Sequence, residues 1–239
     1  MFCDCKSLTY IDLSNFNAQN INNIGGMFYG CKSLSNLNLS NFNTKNVKNM
    51  GYLFYGCNSL ISIDLSNLDT QNVENMSYMF YECNSLTSID LSNFNAQKVD
   101  DMNGMFWGCK SLKNIELLNF ETQNVKDMGN MFRDCESLTN IDLSSFKTQN
   151  LISIKSIFRD CKSLTQLDLS NFNTQKIKEM DDMLNGCQSL EKLNLYNFTN
   201  NLVIKNINGI FKDCESLTKE NIITNDNRIL PIFDQIKKQ

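Results

Sequence analysis

The chain has 239 residues, is 41% hydrophobic, carries a net charge of −4 and contains no histidine. No basic stripe offers itself to phosphates, so nucleic acid is not an expected partner, and no apolar run approaches the roughly 18 residues of a membrane span. The missing histidine removes Ser-His-Asp and Cys-His nucleophiles and every histidine metal site together.

From its first residue the chain repeats a 26-residue unit, with copies opening at Met1, Met27, Leu53, Met79, Met105, Met131, Ile157 and Met183. A ninth opens at Ile210, because the eighth carries one extra residue. A fixed period of this size marks a solenoid, in which each coil buries its apolar face only against its neighbours. The opening MFCDCKSLTY has neither a charged nor an apolar leader region, and Met1 falls on the repeat's own Met column. The expectation is a fragment or a start inside a coil, with a short genuine reading frame as the alternative.

Within a coil, Leu8-x-x-Ile11-x-Leu13 recurs as Leu34, Leu37, Leu39 and Leu60, Ile63, Leu65. Alternating apolar residues there predict one short strand per coil, stacked in parallel. The second half runs at helical spacing: Val47, Met50, Leu53, Phe54 and Cys57 predict the buried face of a short helix. Thr44, Thr70, Thr122, Thr148 and Thr174 stand where an N-cap hydroxyl would bond free helix amides. Gly30, Gly56, Gly108 and Gly186, or Asp in the same column, suit a left-handed turn that ends the helix. The fold class expected is an α/β solenoid, leucine-rich-repeat-like, with one strand and one helix per coil.

All 11 Met fall in two columns, and of 16 Phe eight follow the coil opener and seven follow the strand, leaving only Phe233 outside. These residues read as core. Nine of ten Cys share one column, from Cys5 to Cys214, and one thiol per coil neither converges on a metal nor suits a disulfide. Small buried free thiols are expected, with Cys3 alone facing out and reactive.

The string M-F-x-x-C-x-S-L-x-x-I-D-L-S-N-F-N-T-x-N-V-x-x-M resembles the BspA-like leucine-rich-repeat surface proteins in their 26-residue variant, over Met1 to about Ile222. The resemblance implies a non-enzymatic scaffold for protein binding, displayed on a cell surface or secreted and associated with adhesion or host interaction. It carries no catalytic, cofactor-binding or metal-ligating residues. The absence of an export segment from the chain as it stands keeps an intracellular, cytoplasmic interaction scaffold open as the alternative.

Two rows are candidate binding sites. Asp12, Asp64, Asp90, Glu116, Asp142 and Asp168 form an acidic row expected on the outer face of the strands, where Asx turns with the Ser two residues on are the plainer explanation. The column after the core Phe reads Tyr29, Tyr55, Tyr81, Trp107, Arg133 and Arg159, with Tyr52 and Tyr78 three residues earlier on the same outer side. Exposed aromatics in a row mark binding surfaces, and Tyr, Trp and Arg dominate interface hot spots; a self-covering stack without a partner is the rival explanation. No G-x-G-x-x-G or Gly-Lys-Ser/Thr occurs, and three N-glycosylation triplets, beginning at Asn38, Asn75 and Asn197, arise readily in such a composition.

After Ile222 the repeat fails. Residues 223–239 read as a C-terminal cap, with Pro231 in the first turn of a short helix and Phe233 and Ile236 closing over the last coil.

Overall fold

A computed structural model describes residues 1–16, 19–198 and 209–236. The alternating segment of each coil turns its middle residue inward and its neighbours outward, as in Ser88-Ile89-Asp90. Seven strands result: β1 (Tyr10–Asp12), β2 (Asn36–Asn38), β3 (Ser88–Asp90), β4 (Asn114–Glu116), β5 (Gln166–Asp168), β6 (Lys192–Leu195) and β7 (Ile222–Thr224). They pair in parallel as β1–β2, β3–β4 and β5–β6–β7, in register with the repeat, so that Tyr10 lies beside Asn36 and Leu193 beside Ile222. The solenoid is as expected, but a strand in every coil is not: the third and sixth coils carry none. A three-residue strand rests on very few inter-coil bonds, so a small widening removes the pairing.

The helix expected in the second half of each coil does not form. Alternate amides there donate to the next coil instead: Ile24 to Asn49, Gly26 to Gly51, Phe28 to Leu53 and Gly30 to Tyr55, at 2.7–3.1 Å. The amides between them close successive turns of four residues, Met27 to Ile24, Tyr29 to Gly26 and Cys31 to Phe28. A chain of such turns buries Ile24, Met27, Phe28, Cys31 and Leu34, which is the spacing of a helix face. Two left-handed residues per coil forbid the helix itself. Asp4, Gly30, Gly56, Glu82 and Gly108 hold one such column, at φ between 55° and 79°, and Gly26, Tyr52, Tyr78, Gly104 and Asn130 the other, at 54–62°. At Gly30 a β-carbon would lie 2.4 Å from the Asp4 carboxylate, so here glycine serves both the angle and the space.

The threonine column is likewise not a set of helix caps. Thr44 and Thr122 hydroxyls donate to the carbonyls of Asp69 and Lys147 in the next coil, at 2.8 and 3.0 Å. The Lys147 amide returns a bond to the Thr122 hydroxyl at 3.0 Å. With no helix amides to cap, the buried hydroxyl joins coils.

The core is two phenylalanine spines and a thiol ladder. Phe2, Phe28, Phe54, Phe80, Phe106, Phe132 and Phe158 stack in one run at 5.3–5.7 Å between ring centres. The second spine is looser, with Phe120–Phe146 tilted and 5.8 Å apart. Each column thiol from Cys31 onward donates to a backbone carbonyl of the preceding coil, Cys57 to Phe28 at 3.3 Å and Cys109 to Phe80 at 3.1 Å. All ten cysteines are free, and eight are buried; Cys5, expected with the buried column, is exposed together with Cys3.

At the other end, α1 (Ile229–Ile236) carries Pro231 in its first turn and lays Phe233 edge-on against Phe211, ring centres 5.5 Å apart. Asp226 is buried beneath Arg228, whose guanidinium grips it at 2.6 Å.

Phe80→Ala should cost roughly 3–5 kcal/mol, because the cavity is shared with both neighbouring coils. Tyr81→Ala should cost less than half as much in urea melts; equal loss would show that the two columns are interchanged. Burial raises the Cys57 thiol to about 12 and lifts Cys83, Cys135, Cys161 and Cys187 well above the ordinary value. The folded chain then holds protons that the unfolded chain releases. That stabilisation is complete below the ordinary thiol value of 9.0 and falls as pH climbs above it. The urea midpoint should therefore drop between neutral pH and alkaline pH, and a bulky thiol reagent at neutral pH should label Cys3 and Cys5 alone.

Candidate functional site

The turn side of the coils carries the aromatic residues. Tyr29, Tyr55 and Tyr81 stack face to face with 4.4 Å between successive ring centres and planes within 12°. Trp107 ends the row, its ring at 78° to Tyr81 and 5.1 Å away. Beside it Tyr52 and Tyr78 form a second row, 5.1 Å apart and each 5.9 Å from its neighbour in the first, Tyr55 and Tyr81. The structure thus brings together all six predicted aromatics. They are less open than expected: Tyr52 is 42% exposed, and the others are half-buried because each ring covers the next.

Tyr52 and Tyr78 hold left-handed backbone, φ 60° and 54°, in a column that other coils fill with Gly26, Gly104, Asn130, Ser156 and Asp182. For a bulky residue this conformation costs about 1–2 kcal/mol. Tyr78 further leans over Gly104, where a β-carbon would come within 2.5 Å of its ring. The phenols are electrostatically linked. Burial, with Tyr81 and Tyr29 close by, pushes the Tyr55 phenol well above its usual value, and burial beside Glu82 raises that of Tyr81. Burial also raises Tyr78, helped by Tyr52 and then by Asp101 and Asp127.

Beyond Trp107 the column does not become a free basic stripe. Arg133 lays its guanidinium 4.4 Å over the Trp107 ring and pairs with Asp134 at 3.7 Å, while Asp134 accepts the indole N–H at 2.8 Å. Arg159 is held by Asp160 at 3.3 Å and Asp182 at 3.2 Å. Asp134 and Asp160 stand in one left-handed column and Asp182 in the other, so the arginines arrive neutralised. Arg133 ends the aromatic patch; Arg159 belongs to a separate ionic lattice.

The acidic row stands on the outer face of the strand side, and its geometry is that of Asx turns. Asp12, Asp64, Asp90, Asp142 and Asp168 each accept the amide two residues on at 2.8–2.9 Å, and Glu116 does so at 3.1 Å. Hydrogen bonds from Ser66 and Ser92 hold Asp64 and Asp90 below the usual carboxylate range. Where serine is missing, at Leu118 and Tyr196, the backbone amide still donates. The second oxygen of Asp168 accepts from the Asn194 side-chain amide at 3.2 Å, and a groove of about 520 Å³ opens at the end of this row among Gln166, Asp168, Lys192, Asn194, Glu220 and Ile223.

A third polar ladder is absent from the sequence reading. Asn23, Asn49, Asn75, Asp101, Asp127, Ser153 and Glu179 form a continuous row of bridges between coils. The side chains of Asn23, Asn49, Asn75, Asp101 and Asp127 accept the amide two residues on at 2.7–2.9 Å. Burial, followed by the nearby Asp127 and Asp100 and opposed by the Asn103 amide, raises the Asp101 carboxyl. The signal was present as a column of Asn and Asp three residues before Gly26, Tyr52 and Tyr78. Among the described residues no group of three or more cysteine or carboxylate side chains could hold a metal ion.

The family model described as "Mycoplasma protein of unknown function, DUF285" matches residues 1–117 and again 109–225. A Treponema pallidum leucine-rich-repeat protein is 19% identical, with 74% of this chain and 83% of that one covered and a TM-score of 0.41. A Bacteroides ovatus leucine-rich-repeat protein is also 19% identical, over 90% of this chain and 67% of that one, at a TM-score of 0.42. A leucine-rich cell surface protein of Faecalibacterium prausnitzii is 17% identical, over 94% and 85%, at 0.28. No curated protein matches the chain.

Tyr52→Gly should leave stability within about 1 kcal/mol of the parent, because the relief of left-handed strain offsets the lost stacking. A urea melt showing a loss near that of Phe80→Ala would make Tyr52 a structural residue.

Proposed function

We propose, from the premise that this chain belongs to the DUF285 family and folds as a leucine-rich-repeat solenoid, that it is a non-enzymatic scaffold binding a protein partner through Tyr29, Tyr52, Tyr55, Tyr78, Tyr81 and Trp107. The observation that carries this reading is the left-handed backbone of Tyr52 and Tyr78. A core built on phenylalanine has no use for two strained surface rings, and strain kept at a surface points to use. The inter-coil ladder holds the rings in place before any encounter, which lowers the ordering cost of association.

The BspA-like repeat supports display at a cell surface and a role in adhesion or host interaction. Ten free cysteines favour a second reading, an intracellular interaction scaffold in a reducing compartment. Thiol titration of protein from its native source separates the two: oxidised Cys3 and Cys5 argue for the outside. No helix among the described residues is long and apolar enough to cross a membrane.

A combined Tyr81→Ser and Trp107→Ser variant should keep its circular dichroism spectrum and lose at least about tenfold in affinity, some 1.4 kcal/mol, for a partner captured by pull-down. Binding that survives this change but disappears when Asp64, Asp90 and Asp142 become Asn would move the site to the acidic row.

A further inference from the structure

The chemistry of the patch narrows the partner, on the premise that the reading above holds. Ring faces are occupied by neighbouring rings at 4.4–5.1 Å, and one face of Trp107 by Arg133. A sugar ring or a quaternary ammonium, which both need an open face, therefore finds none between the stacked rings; only Tyr29 and Tyr52, first in their rows, keep one face without a stacked ring. Pairing with an added β-strand is equally closed, because the amides of this face already donate to the next coil, Phe54 to Met79 and Gly56 to Tyr81. What remains for a partner are ring edges, which carry partial positive charge, and phenol hydroxyls. Ring edges and phenol O–H groups both favour a partner that presents acceptors, although each phenol oxygen can also accept.

Its complement is a backbone rich in carbonyls and poor in N–H groups. Left-handed extended polyproline has that character and repeats every three residues, about 9 Å; two 4.4 Å steps set Tyr81 about the same distance from Tyr29. At the far end, Asp101 and Asp127 have no ion-pair partner among the described residues and lie in adjacent coils next to Tyr78. We propose that the two tyrosine rows receive a proline-rich, left-handed extended segment of a partner protein, followed by a basic residue that meets Asp101 and Asp127.

The probe is a labelled oligoproline peptide ending in two arginines, titrated into the full chain by fluorescence anisotropy. Saturable binding is expected, weakened at least about tenfold by Tyr78→Gly, by Tyr55→Ala, and by Asp101→Asn with Asp127→Asn, each variant checked for native circular dichroism. A glycine–serine peptide with the same arginines should bind at least about tenfold more weakly. The proposal is overturned if the glycine–serine peptide binds equally, if the tyrosine changes have no effect, or if the oligoproline does not bind. It is also overturned if a cello-oligosaccharide or tetramethylammonium competes for the site. A captured partner that depends on Tyr81 and Trp107, alongside an oligoproline that fails to bind, would sink this inference and leave the broader reading standing; loss of neither ligand in the double variant would sink both.

Discussion

The structure depends on one arrangement: on the turn side of each coil every second amide donates to the coil ahead, and the amides between close turns within their own coil. Buried backbone groups must be paired, and here the two demands interlock without a helix. Everything else is placed by that ladder. It sets the short ring spacing of the phenylalanine spine, brings each column thiol to a carbonyl of the coil behind, and stacks identical positions one above another. A residue is consequently either core or surface for the whole length of the chain, and a functional patch can arise only by changing one column over a few consecutive coils. Tyr29, Tyr55, Tyr81 and Trp107 are such a change.

Much of this was legible in the residues. The 26-residue period dictated a solenoid, the Leu-x-x-Ile-x-Leu run marked the strand side although the third and sixth coils form no strand on it, and the confinement of Met and Phe to fixed columns identified the core. The turn segment was misread because consecutive four-residue turns and an α-helix bury the same positions; burial periodicity cannot separate them. The discriminating signal lay in a different property, the tolerance for left-handed backbone. Gly26, Gly104 and Asn130 repeat that requirement in one column, and Asp4, Gly30 and Asp134 in the other. No helix admits two such residues per coil. Tyr52 and Tyr78 concealed the first column, being bulky residues ill suited to it, and the same mismatch is what singles them out.

The candidate site was legible in its membership and not in its character. Helical phase and turn phase agree on which column faces outward, so the six aromatics were found for an incorrect reason. What the column could not reveal was contact between coils: ring faces lost to stacking, an indole locked by Arg133 and Asp134, and Arg159 neutralised by Asp160 and Asp182. These are long-range pairings, 23 or more residues apart in most cases. They convert a row of apparently sticky side chains into an ordered surface with a narrow chemical preference. The acidic row shows the reverse: its residues look like a ligand strip, and their geometry assigns them to local turns.

The forward donation of amides has an electrical consequence. At Ile24, Gly26, Phe28 and Gly30, and again at Phe54, Gly56, Phe80 and Glu82, the N–H points to the next coil while the carbonyl before it points back. These peptide units are aligned with the solenoid axis, each contributing a dipole of about 3.5 D, as in an α-helix. The stack is therefore polarised from end to end along that face, with its partial positive charge toward higher residue numbers. A linear ligand lying along the coils would feel a field gradient, and its two possible directions would differ in energy even before any side chain was touched.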